Sequence, residues 1–212
     1  MKLTGGEALV KQLELEGVTQ IFGIPGVQLD YAVDALRRSK QIDFKTTRNE
    51  QSTSYMADGY ARTTGKPGVC MVVPGPGVLN ALAGLSTAFA CNSRVLCVAG
   101  HIHSGAIGKG HGLLHEIRNQ SGVFDSVTKW HGCAMTVAEI PGLVRHAFVE
   151  VAQVEIGLVH AAVNPAPAYV QCLHQLPILV AGLAGPDGAE GCLVDVADHE
   201  SRVEQVGGTS AD

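Results

Sequence analysis

The chain has 212 residues, of which 46% are hydrophobic and 17% are charged, as in a soluble globular protein with one domain or little more. Its net charge of −5 gives no electrostatic support for binding nucleic acid. The sequence has no apolar run of the ~18 residues that a membrane span needs, and no signal peptide at its start, so we expect a cytoplasmic protein without a membrane partner.

Strand and helix patterns alternate along the first hundred residues. Thr4 and Glu7 have the spacing of a capping box, which predicts the start of a helix that ends at Gly17. Apolar strands are expected at 18–22, 42–46, 69–73 and 94–99, separated by helices at 29–38, 47–62 and 78–90. Such alternation predicts an α/β fold with an open parallel sheet.

The helix at 47–62 carries Glu50 in its first turn, followed by Tyr55, Met56, Gly59 and Tyr60 at helical spacing. A helix N-terminus favours an acid, so Glu50 taken alone is explained as a structural residue. In open parallel sheets, however, ligands bind beyond the carboxyl ends of the strands. Residues 23–26, 49–50, 74–80 and the stretch after 99 are all expected at that edge, which makes Glu50 a candidate functional residue.

Residues beyond the last strand have weaker patterns. They predict a short helix at 114–121, a short strand at 127–130 and an amphipathic helix at 138–152. Four histidines have spacings that metal ligands use: His101, His103, His111 and His115. Solvent-exposed side chains in a loop would have the same spacings by chance, and we predict no metal site. The six cysteines form no C-x-x-C pair and are expected to be reduced.

The composition changes after Gln153. Residues 154–212 contain one basic and eight acidic residues, a net charge of −7, whereas residues 1–153 contain 14 basic and 12 acidic residues, a net charge of +2. We therefore expect one domain over 1–153. Residues 154–212 are expected to form a divergent, irregular acidic tail that is disordered or translated out of frame.

Residues 4–153 contain a series of short motifs, each of which occurs once. They are FGIPG (22–26), RNEQ (48–51), ADGYAR (57–62), GKPGV (65–69), GPG (75–77) with Asn80, Ala81 and Gly84, LHE (114–116) and TK (128–129). In order and spacing they resemble the N-terminal pyrimidine-binding domain of thiamine-diphosphate-dependent enzymes, most closely the acetolactate synthase group. The resemblance implies a thiamine-diphosphate-binding fold of about six parallel strands flanked by helices, with the cofactor at an interface between two subunits.

The resemblance also implies roles for individual residues. The counterpart of Glu50 is catalytic, because it hydrogen-bonds the aminopyrimidine ring and favours the imino tautomer that takes a proton from the thiazolium carbon. The implied cofactor contacts are Pro25, Gly26, Glu50, Val73, Pro76 and Asn80. His115 falls on the substrate side, where acetolactate synthases carry Gln, and a histidine there could shuttle protons.

Three departures qualify the resemblance. Asn49 stands where the family usually has His, residues after 153 do not follow the family, and the G-D-G signature of the diphosphate- and Mg²⁺-binding domain is missing. We therefore expect a truncated reading frame that is inactive alone. Activity on 2-oxo acids would need a second subunit or a diphosphate-binding domain across a dimer interface, in a homo- or hetero-oligomer.

The sequence is compatible with other interpretations. FAD is compatible with the resemblance, but no residue of the sequence supports it. The chain could instead be a non-catalytic α/β module that binds a partner or a nucleotide. A metal-binding protein that uses the histidine loop is a third hypothesis.

Overall fold

The computed structural model describes residues 2–152 and the two-residue strand at 194–195. The elements are β1 Lys2–Leu3, α1 Gly5–Leu15, β2 Gln20–Gly23, α2 Asp30–Arg38, β3 Asp43–Thr46, α3 Glu50–Thr64, β4 Gly68–Val72, α4 Pro76–Ala90, β5 Val95–Ala99, α5 Glu139–Ala152 and β6 Val194–Asp195. Short 3₁₀ turns lie at Val27–Leu29, Ser104–Ala106 and Ser121–Val123. The predicted alternation of strands and helices is confirmed from α1 to β5.

Four of the strands form a parallel sheet in the order β3-β2-β4-β5. The α/β class and the parallel sheet with flanking helices are confirmed; the described residues supply four strands to this sheet, where about six were expected. β1 pairs separately and antiparallel with β6, through Lys2 opposite Asp195. Apart from β6, the predicted tail lies outside the described residues.

Helices cover both faces of the sheet, and β4 and β5 are therefore buried along their whole length. Alternate residues of a strand point to opposite faces. Met71 and Val98 pack with α1, α2 and α5 in one apolar cluster. Cys70 and Cys97, which are direct neighbours across β4 and β5, pack with α3 and α4 in the other. The core is therefore two apolar layers with the sheet between them.

Side-chain hydrogen bonds to backbone N–H groups cap the N-termini of α1 and α3. Thr4 Oγ1 accepts a hydrogen bond from the Glu7 N–H (3.2 Å), and Glu7 Oε2 accepts one from the Thr4 N–H (2.9 Å), so the capping box is confirmed. Asn49 caps α3, since its Oδ1 accepts from the Gln51 N–H at 2.8 Å. The asparagine that departs from the expected histidine therefore has a structural role at the start of α3.

The segment between β5 and α5 differs from its prediction. Residues 114–120 form turns rather than a helix, and 127–129 are not a strand, although Trp130 makes an isolated bridge. The segment is held instead by side chains. Phe124 is fully buried in the α3–α4 layer, Trp130 packs against the opposite layer, and Lys129 pairs with Glu150 of α5 at 3.1 Å. These anchors come from distant elements, so local patterns did not reveal them.

α3 and α4 cross in close contact through small residues. Ser54 Oγ donates to the Ala81 carbonyl at 2.8 Å, and a Cβ placed on Gly84 would lie 2.3 Å from the same Oγ. Of the side chains that helped to predict α3, Tyr55 and Met56 are 42% and 41% exposed, and the Tyr55 hydroxyl accepts a hydrogen bond from Thr87 Oγ1 of α4 at 3.4 Å. α3 and α4 are the longest helices of the described residues, with 15 residues each, and no helix there has the length and apolar content of a membrane span.

We predict that Gly84→Ala destabilises the chain by about 1–3 kcal/mol, because the new methyl group would force α3 and α4 apart. Gly59→Ala is the matched control in α3: a Cβ there meets nothing within 4 Å. Its higher helix propensity should stabilise the chain by about 0.5–1 kcal/mol. Urea unfolding followed by circular dichroism measures both. Equal effects of the two substitutions would contradict the close crossing.

Candidate functional site

The carboxyl ends of β2, β4 and β5 meet at one edge of the sheet, and the first residues beyond β2 and β5 are hydrogen-bonded to the end of β4. The Ile24 N–H donates to the Met71 carbonyl (3.3 Å), and the Gly100 N–H donates to the Val72 carbonyl (2.9 Å). The Thr47 N–H, just before α3, donates to the Gly23 carbonyl at 3.2 Å. The four segments expected at this edge therefore do lie together.

Glu50 is the first residue of α3 and is half-buried. Its Oε2 accepts a hydrogen bond from Asn80 Nδ2 of α4 at 3.0 Å. Among the described residues its Oε1 has no hydrogen-bond partner, so it can accept from a ligand. The structure thus brings together two of the predicted site residues and leaves one carboxylate oxygen available between the N-terminal turns of α3 and α4.

The other predicted cofactor contacts line the same edge. Pro76 is exposed in the first turn of α4, and Pro25 is exposed in the turn after β2. Gly26 lies against the buried Val73, because a Cβ on Gly26 would be only 2.3 Å from Val73 Cγ1. The absence of a side chain at position 26 lets the two loops approach closely. All these residues lie at one edge, around the start of α4.

Gly75 and His115 are in contact through their backbones. Both have left-handed φ values, +59° and +67°, a region that non-glycine residues seldom adopt. A Cβ on Gly75 would lie 2.4 Å from the His115 carbonyl oxygen. Gly75, the first residue of the Gly-Pro-Gly motif, is therefore required where the His115 segment crosses the loop after β4. The prediction that His115 lies near the site is consistent with this position.

Gln120 is a residue of this edge that the sequence did not single out. It is 2% exposed, its Oε1 accepts from the Gly75 N–H at 3.0 Å, and its Nε2 donates to the Gly100 carbonyl at 2.7 Å. One amide therefore ties together the loops that follow β4 and β5. A glutamine that satisfies backbone groups of distant loops leaves no periodic or motif signal in the sequence.

The histidines of the loop do not form a metal centre in the described part of the chain, where no three His, Cys, Asp or Glu side chains gather in a way that could hold an ion. His103 and His111 are exposed, whereas His101 is 7% exposed. Burial lowers the pKa of His101, an effect that a hydrogen bond with the Ile102 backbone partly offsets. Its Nδ1 has no partner among the described residues.

A carboxylate stabilises the glycine-rich turn next to His115. Glu116 Oε2 accepts from the Leu113 N–H at 2.8 Å. This bond, together with bonds from the Gly112 and Gly110 backbone and the charge of His111, holds the pKa of Glu116 below its ordinary value. The acid therefore remains ionised and keeps the turn closed at neutral pH.

A family model described as the N-terminal TPP-binding domain of thiamine pyrophosphate enzymes matches residues 3–123. The chain is 40% identical over 146 residues to a probable 2-ketoarginine decarboxylase of Pseudomonas aeruginosa, an alignment that covers 69% of this chain and 26% of the relative. It is 38% identical to a probable acetolactate synthase large subunit of Methanocaldococcus jannaschii (69% and 24%). It is 36% identical to an acetolactate synthase of Bacillus subtilis (70% and 25%). The aligned region spans about a quarter of each of these relatives.

We predict that Gln120→Met destabilises the chain by about 1–3 kcal/mol for each of the two buried backbone groups, on Gly75 and Gly100, that lose their partner. Methionine keeps the volume but can neither donate nor accept as the amide does. Gln51→Met is the control, since Gln51 is exposed in α3, and a change within about 0.5 kcal/mol is expected there. Urea unfolding measures both. If Gln120→Met were as stable as Gln51→Met, the two hydrogen bonds of Gln120 to Gly75 and Gly100 would not contribute to stability.

The lowered pKa of His101 predicts a pH dependence of stability. The unfolded chain protonates His101 near its ordinary pKa of about 6.5, whereas the folded chain resists protonation to a lower pH. Stability should therefore fall as the pH drops from about 7.5 to 5.5, and His101→Asn should flatten this slope. The exposed His103→Asn is the control and should leave the slope unchanged. Urea midpoints across this pH range test it, and an unaltered slope in His101→Asn would refute it.

Proposed function

The chain belongs to the family of N-terminal TPP-binding domains of thiamine pyrophosphate enzymes, and from that membership we propose that it supplies the pyrimidine-binding half of an active site acting on 2-oxo acids. The family implies thiamine pyrophosphate (thiamine diphosphate) as the cofactor. The domain is of the acetolactate synthase type, as its relatives from Methanocaldococcus and Bacillus indicate. The relatives support this substrate class, since one of them is a probable 2-ketoarginine decarboxylase.

The observation that carries this proposal is the Glu50 carboxylate. One of its oxygens is held by Asn80 at 3.0 Å, which fixes the side chain, and the other can accept a hydrogen bond from a ring nitrogen. The carboxylate also stands in the first turn of α3, beside the start of α4. A carboxylate acceptor in a fixed position is the group that a protonated aminopyrimidine nitrogen requires.

The surrounding residues also fit the cofactor. Gly26 packs directly on Val73, and Pro25 and Pro76 present rigid apolar rings to solvent at the same edge. A flat heteroaromatic ring is bound well by such surfaces together with a few placed polar groups. We assign Pro25, Gly26, Val73, Pro76 and Asn80 to this ring and His115 to the substrate side.

When bound, thiamine diphosphate supplies the electron sink for cleavage next to the 2-oxo group. The residues of this chain have the remaining tasks. Glu50 accepts the hydrogen bond of the ring and sets where its proton lies, while Asn80 prevents the carboxylate from turning away. Gln120 and Gly75 keep the first turn of α4, and hence Asn80, in place against Glu50.

The site is open to solvent, which supports the need for a second component. Pro25, Pro76 and Asn80 are exposed, and on the same two helices Tyr55, Met56 and Leu79 present large apolar side chains to solvent. Exposed apolar groups beside a functional group mark interaction surfaces. We propose that a second subunit or domain covers this surface and supplies the binding of the diphosphate and of Mg²⁺, and that the chain is inactive alone. The location in the cytoplasm stays a prediction.

We predict that the chain binds thiamine diphosphate and Mg²⁺ only with a co-expressed chain that carries a diphosphate-binding domain. Turnover of a 2-oxo acid such as pyruvate should then appear. Glu50→Gln should lower that turnover about 10²- to 10⁴-fold, the range for loss of a group that controls a proton. Fluorescence titration measures binding, and loss of pyruvate measures turnover.

Glu139→Gln is the matched control for Glu50. Glu139 is also a first-turn acid, at the start of α5, and its hydrogen bonds from Met135 and Thr136 can be kept by glutamine. Its turnover should equal that of the unmodified chain. Cofactor binding without any partner would refute the proposed division of the site. A complex that forms but neither binds cofactor nor depends on Glu50 would favour a non-catalytic module that binds a partner.

A further inference from the structure

Gln28 makes two contacts across the carboxyl edge of the sheet to the segment that carries His115. It lies in the 3₁₀ turn that follows β2. Its Nε2 donates to the Leu114 carbonyl at 3.2 Å, and its Oε1 lies 3.1 Å from His115 Nδ1. Gln28 also packs against Gly100, because a Cβ placed on Gly100 would lie 3.2 Å from the Cβ of Gln28. The side chain is therefore held from both sides.

The Leu114 carbonyl fixes which way the Gln28 amide points. A carbonyl oxygen can only accept, so the NH₂ group of the amide must face it. Reversing the amide would set two acceptor oxygens about 3.2 Å apart and lose a hydrogen bond. The amide oxygen consequently faces His115 Nδ1.

The orientation of the amide in turn fixes the proton of His115. An amide oxygen can only accept, so Nδ1 must carry the hydrogen of this bond. A neutral imidazole has one N–H, and the bond made by one ring nitrogen decides the state of the other. Neutral His115 therefore has a bare Nε2, which accepts hydrogen bonds and protons.

The backbone beneath the ring is fixed as well. His115 has a φ of +67°, and its carbonyl packs directly on Gly75, whose N–H is held by the buried Gln120. The ring is thus restrained at Nδ1 by Gln28 and at its own backbone by Gly75. A histidine that is restrained at both ends presents its remaining nitrogen in one direction.

We propose that Gln28 is a positioning residue that keeps neutral His115 in the Nδ1–H form, so that Nε2 acts as the proton acceptor on the substrate side of the site. Its part in catalysis rests on the proposed function, whereas the tautomer does not. A bare Nε2 takes an O–H or N–H donor of the substrate. While neutral, it offers no hydrogen bond to the carboxylate of a 2-oxo acid.

The test is ¹⁵N NMR of the whole chain, labelled at histidine, without cofactor. At a pH of about 8.5, well above the ordinary histidine pKa of about 6.5, the two nitrogens of each tautomer have distinct shifts. The His115 signals are identified by their loss in His115→Gln. We expect a protonated Nδ1 and a bare Nε2 in the unmodified chain. Gln28→Met should shift the ratio about fivefold toward Nε2–H, the factor that one ordinary hydrogen bond gives.

Gln28→Glu separates positioning from a general loss of the loop. A carboxylate accepts from Nδ1 as the amide oxygen does, so this variant should retain the Nδ1–H form even though it no longer donates to Leu114. The exposed His103 and His111 should be unchanged throughout. A predominantly Nε2–H His115 in the unmodified chain, or an equal change in the Met and Glu variants, would overturn the proposal. If His115 has the expected tautomer but the complex with a partner chain does not bind the cofactor, the proposed function is rejected and the positioning role of Gln28 is not.

Discussion

The constraint on which the structure depends is that β4 and β5 are buried on both faces. A parallel strand covered on both sides needs helices above and below the sheet, and each connection must cross from one end of the sheet to the other. As a result the loops after β2, β4 and β5, together with the start of α3, all emerge at one edge. The position of Glu50 beside Asn80 is a consequence of this arrangement, since they belong to helices that begin at that edge.

Buried irregular backbone must have its polar groups satisfied by something other than strand ladders. The amide of Gln120 does this for the buried Gly75 and Gly100, and the amide of Gln28 adds a hydrogen bond to the exposed Leu114. Both glutamines thereby link loops that are far apart in the sequence. They also connect the two parts of the proposed site, because Gln120 holds the loop that leads to Asn80 and Gln28 holds His115.

The solvent-exposed surface of α3 and α4 connects the fold with the proposal that a second subunit or domain supplies the other half of the site. The helices contact each other closely at Ser54 and Gly84, while the larger Tyr55 and Met56 are partly exposed beside this contact. Close packing inside and exposed apolar groups outside are typical of a helix pair that is covered by another subunit. Glu50 stands at the end of the same pair, so a partner on this surface would also close the site.

The sequence by itself determined the alternation of β2 to β5 with their helices, the capping box of Thr4 and Glu7, and the family to which the chain belongs. These features depend on residues that are neighbours along the chain, or on motifs whose order is fixed. The helix expected at 114–121 and the strand at 127–130 were wrong, because that segment is shaped by Phe124, Trp130 and Gln120 through contacts with remote elements. Only the tertiary structure decided that Gln120 and Gln28 belong to the edge, and that Asn80 rather than a sequence neighbour holds Glu50. Hydrogen bonds between distant loops follow from how the layers pack, and the linear pattern of side chains carries no record of them.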